Sequence, residues 1–127
     1  MTRSTFILII CIYGFLLGFV MLFLPGFAVA QYGGNPNNMH ETSTMQFFGV
    51  LHLSYNFVVL AIRKSADVAV VRSYLLGTAF VCFASLGLGT YYIGSGQLPW
   101  SNSYMVDLVL WVTLGAGCLY YAFRSRS

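Results

Sequence analysis

The chain has 127 residues, 58% of them hydrophobic and only 7% charged, with six Lys and Arg against three Asp and Glu. Soluble domains carry about 25% charged residues, so a water-soluble globular surface is excluded. Six scattered cations also exclude a nucleic-acid-binding face, and the apolar bias excludes intrinsic disorder. What remains is a single all-α integral membrane domain, read here as covering residues 1–127.

The first apolar run is Phe6–Leu24, free of charge. At 1.5 Å rise per residue it can cross roughly 30 Å of hydrocarbon. It contains Gly14-x-x-x-Gly18 with Cys11 on the same face. That spacing lets helix backbones approach closely in a bilayer. Pro25 and Gly26 are expected to end this helix. Ala28-Val29-Ala30 before Gln31 imitates a secretory cleavage site, and cleavage would leave three spans. The length of the run favours a retained span.

The segment Pro25–Thr44, with Gly33-Gly34-Asn35-Pro36-Asn37-Asn38 inside it, reads as turns. Ser43 followed by Gln46 reads as a capping box opening the second span, Met45–Ile62. Gly49, His52 and Asn56 share a face of this helix. Arg63 and Lys64 follow it. Ser65 is expected to cap the third helix, with Asp67 in its first turn, so that this helix starts before the apolar run. The third span is Tyr74–Tyr92, with Thr78, Cys82, Ser85 and Gly89 as a small-residue stripe. The segment Ile93–Ser103 leads to the fourth span, Tyr104–Phe123, which carries Asp107 and Thr113-x-x-x-Gly117.

Transmembrane β-strands would show shorter segments of alternating polarity, which these continuous runs are not. The expected fold is a compact antiparallel bundle of four transmembrane helices with the small and polar stripes inward. All six basic residues, Arg3, Arg63, Lys64, Arg72, Arg124 and Arg126, fall on one side of such a bundle. The other two loops have none, which predicts cytoplasmic termini, or the stromal or matrix equivalent. Tyr91, Tyr92, Trp100 and Tyr104 form an outer aromatic belt. Tyr74, Tyr120, Tyr121 and Phe123 form an inner one.

His52 lies roughly 10 Å inside its span, where a polar group is costly and has a reason to be there. It is read either as a hydrogen-bond partner in a polar core with Asn56, Tyr55, Thr78 or Ser85, or as a ligand to a chlorophyll-type pigment or haem. Asp107 is read as a carboxylate near a helix N-terminus, or as a proton or cation site. Met39, His40, Glu41, Met45 and Met105 include copper-type donors, but their spacing matches no closed metal motif, so no metal is expected. Cys11, Cys82 and Cys118 lack a Cys-x-x-Cys pair and read as packing residues.

Ser–His–Asp sets, paired carboxylates and phosphate loops are missing from the sequence. The expected function is therefore a non-catalytic accessory subunit of a larger membrane complex, photosynthetic or respiratory, not an enzyme. Its expected partners are other integral subunits met through helix faces, and its expected cofactors are a chlorophyll-type pigment, a carotenoid or a bound lipid. A small carrier or channel using Asp107 and His52 is the alternative, and a lipid-modifying membrane enzyme comes third.

Overall fold

The computed structural model describes residues 1–124; Arg126 lies outside them. Among the described residues the chain is all-helical. The elements are α1 (Arg3–Phe23), α2 (Pro25–Gln31), α3 (Met39–Ile62), α4 (Val68–Gly94) and α5 (Asn102–Arg124). By length and composition α1, α3, α4 and α5 can each cross a membrane.

The four long helices match the four apolar runs, Leu24 falling just past the end of α1, and each begins earlier than its run. The reason is capping. Thr2 Oγ1 accepts from Thr5 N at 3.2 Å and starts α1. Asp67, not Ser65, caps α4: its Oδ1 accepts from Ala69 N at 2.8 Å and Val70 N at 3.3 Å. Ser65 supports it from outside, accepting from Asp67 N at 3.1 Å. Ser101 Oγ accepts from Tyr104 N at 3.1 Å at the start of α5.

The segment expected to consist of turns is largely helical. Pro25 occupies the first position of α2, where its missing N–H costs nothing and its φ is already helical. Ala28 and Val29 are buried, so α2 has an apolar face to dock. Gly33, at φ +78°, then turns the chain out of α2, and Gly34 N donates back to Val29 O at 3.0 Å.

The capping box at the start of α3 is also displaced from Ser43 and Gln46. Asn38 is the cap, accepting from His40 N at 3.0 Å. Glu41 reaches back to it, taking Asn38 Nδ2 at 2.7 Å and Asn35 N at 2.9 Å. Ser43 is inside the helix and donates to His40 O at 3.1 Å. Glu41→Ala is expected to remove both carboxylate bonds, costing about 1 kcal/mol of local stability, as for other lost caps. Faster amide exchange over residues 39–44, with the rest of α3 unchanged, is the signature to measure.

The chain forms two compact units, Met1–Arg63 and Lys64–Ser127. In the first, α1 and α3 run antiparallel in close contact, and α2 packs against both. Phe15 meets Phe57 edge-on at 5.1 Å between centroids, and Gln46 Nε2 donates to Leu22 O at 3.3 Å. In the second, α4 and α5 form an antiparallel pair. One end of this pair is tied by Arg72, whose guanidinium lies 5.4 Å from the Phe123 ring centre. Arg124 donates to Tyr120 Oη and lies over the same tyrosine's ring.

Candidate functional site

The polar centre of the first unit is built on α3. Asn56 is 2% exposed, and its Nδ2 donates to His52 O at 2.7 Å, one turn back on its own helix. Its amide occupies the space that Gly14 leaves open on α1. Below it, Gly18 and Gly49 face each other: a side chain on Gly49 would run into Leu22 N and Gly18 O. His52 is half-buried on the same side of α3. Its Nδ1 lies 3.2 Å from Phe48 O, again within the helix. The structure thus brings together Gly14, Gly18, Gly49, His52 and Asn56, with Cys11 fully buried on the same face of α1.

The second unit has its own polar contact. Tyr104 is buried, its ring filling the place where a Gly89 side chain would be, and its Oη meets Thr90 Oγ1 at 3.0 Å. Trp100 and Trp111 meet the same ring edge-on at 5.8 and 6.2 Å. Asp107 is 8% exposed, one turn further along α5. Ser85 and Gly89 are half-buried on α4, and Cys82 is buried. On α5, Thr113 is exposed and donates to Val109 O at 2.7 Å, while Gly117 is half-buried. The buried positions of α5 are Tyr104, Asp107, Gly115, Cys118 and Ala122. Gly115 lies against Phe83 and Cys82.

Met39 is 84% exposed, and Glu41 is engaged by Asn35 and Asn38. Among the described residues no group of three His, Cys, Asp or Glu side chains could hold a metal ion. Cys11, Cys82 and Cys118 are buried free thiols within the helices. An open groove on the first unit is lined by Leu22, Ser43, Gln46, Phe47 and Val50.

Sequence reasoning missed the Tyr104–Thr90 contact and the Asn38–Glu41 cap. The second had a readable signal, since Asn38-x-x-Glu41 is itself a cap-plus-carboxylate spacing. The first had none, because a tyrosine at a span border is ordinarily read as a belt residue.

Several polar side chains bond to their own helix. Asn56, Thr78, Thr90 and Thr113 all donate to the carbonyl four residues back. Such bonds satisfy a side-chain donor within its own helix. No protein family, curated protein or solved structure matches this chain.

Proposed function

We propose that the chain is a four-pass integral membrane protein acting as a non-catalytic accessory subunit that meets its partners through helix faces. The observation that carries the reading is the apolar outer surface of the spanning helices. On α1 the exposed side chains Ile9, Ile12, Leu16, Phe19 and Phe23 follow one face, opposite the packed one. Phe47, Leu51, Phe57 and Val58 on α3, Phe80, Val81 and Leu88 on α4, and Val106, Val109 and Val112 on α5 are exposed as well. Uncovered apolar surface on this scale is stable in lipid or against another apolar protein, and not in water. The local spending of polar side chains supports a packing role, because a transport path needs polar groups that reach a shared cavity.

The basic residues support an orientation. Arg3 opens α1, Arg63 and Lys64 follow α3, Arg72 lies in the first turns of α4, and Arg124 ends α5. The segments 24–38 and 95–101 carry no Lys or Arg. This asymmetry supports a four-pass topology with both termini on the cytoplasmic side. A second reading, a small carrier or channel, draws on the buried carboxylate of Asp107.

The test is extraction and labelling. The protein should stay in membranes washed with alkaline carbonate. In a background lacking Cys11, Cys82 and Cys118, an impermeant thiol reagent should reach Asn37→Cys and Gln97→Cys from outside. It should reach Ser4→Cys and Lys64→Cys only after permeabilisation. Release by carbonate would reject the membrane reading, and outside labelling at residue 64 would reject the orientation. Solubilised in mild detergent from native membranes, the chain should migrate with other integral proteins. Migration alone would move the assignment to the carrier.

A further inference from the structure

The tautomer of His52 is set by its neighbour. A backbone carbonyl oxygen only accepts, so the contact of Nδ1 with Phe48 O at 3.2 Å requires the proton on Nδ1. The neutral ring then carries its lone pair on Nε2. This is the arrangement in which histidines ligate metals: the far nitrogen donates to a backbone carbonyl, which fixes the ring and raises the basicity of the near one.

The position of the ring gives that lone pair significance. His52 lies inside the apolar run Met45–Ile62 of α3, roughly 10 Å from its first residue and 15 Å from its last at 1.5 Å per residue. An acceptor left empty at such depth carries a desolvation cost, since water is not there to fill it. Asn56, one turn further along the helix, has its Nδ2 engaged by His52 O and its amide lodged against Gly14. Phe48 and Tyr55, one turn to either side on the same flank, are 52% and 49% exposed. They give this flank of α3 an aromatic surface.

The donor set narrows the ligand. A bare metal ion needs three or more protein ligands, and among the described residues no such group exists. A metal already held by a macrocycle needs only one axial nitrogen, and a flat apolar ring suits the aromatic flank and the bilayer. We propose that His52 Nε2 is the single axial ligand of a five-coordinate metallotetrapyrrole, lying against Phe48 and Tyr55. The proposal rests on the reading of α3 as a membrane-spanning helix.

Zinc protoporphyrin IX, which takes one axial nitrogen, is the probe. Titrated into the full chain in mild detergent, it should show a red-shifted Soret band that saturates at one porphyrin per chain. His52→Ala should weaken this binding by more than about tenfold, and His40→Ala should leave it unchanged. His52→Gly should lose the shift and regain it when imidazole is added, a readout that a folding defect would not give. Circular dichroism of each variant checks its helices. Wild-type binding by His52→Ala, failure of imidazole to rescue a helical His52→Gly, or unsaturable partition into micelles would each overturn the proposal. A chain that binds no porphyrin but stays in carbonate-washed membranes loses this site and keeps its membrane assignment. A chain released by carbonate loses both.

Discussion

Gly49→Ala should destabilise the first unit more than any other single methyl addition in it. A Cβ at this position would lie 2.7 Å from Leu22 N and 2.9 Å from Gly18 O. Both are main-chain atoms of α1, so no side chain can rotate away and one helix must move off the other. Overpacking of this kind costs about 1–3 kcal/mol. Gly49→Leu should exceed that range and separate α1 from α3. Gly77→Ala on α4 is the control, because nothing lies within 4 Å of the added methyl. There the higher helix propensity of alanine should leave stability unchanged or raise it by up to about 1 kcal/mol. Unfolding in mixed detergent, followed by circular dichroism, measures both. Equal behaviour of the two variants would mean that α1 and α3 do not pack through this crossing.

The second large effect is a coupling. Gly14→Ala would place a methyl 2.6 Å from Asn56 Oδ1, inside the amide. Asn56→Ala removes that amide, together with its bond to His52 O, and leaves a void beside Gly14. Each change alone should destabilise the unit. Combined, the new methyl occupies part of the space that the amide vacated. The double variant should therefore be more stable than the sum of the singles predicts, by about 0.5–3 kcal/mol. A strictly additive cycle would show that Asn56 does not sit over Gly14.

The long helices were legible because apolar runs and basic flanks are properties of the segments themselves. The α1 stripe was legible for the same reason: Cys11, Gly14 and Gly18 fall on one face, and all three are buried. On α5 the sequence offered two overlapping sets of small residues. Thr113 and Gly117 make a regular spacing, yet the buried set runs through Gly115, Cys118 and Ala122. The choice depends on what α4 presents. Cys82 and Phe83 meet Gly115, and Gly89 leaves room for the Tyr104 ring. Spacing within one helix carries no record of its partner's relief. The helix starts were misplaced for a related reason. Several Ser, Asn and Asp residues near each start can cap, and the winner is the one whose second contact closes. Glu41, bound to both Asn35 N and Asn38, settles that at α3. The α2 helix was hidden because Pro25 and Gly26 read as a stop, although the same proline is a good first residue for a new helix.

The division of the chain at Arg63 has a consequence for biosynthesis. Each unit is contiguous, so the contacts that close α1 on α3, or α4 on α5, join segments near in sequence. Loop closure over such short separations costs little entropy, and low contact order makes for fast assembly. The first helix pair holds its whole set of glycine contacts before α4 has been synthesised. The Asn56 amide makes its bond to His52 O and lodges against Gly14 without waiting for the second half. A nascent chain built this way can engage the Asn56 amide while translation continues, and its two halves can form in turn as separate pairs.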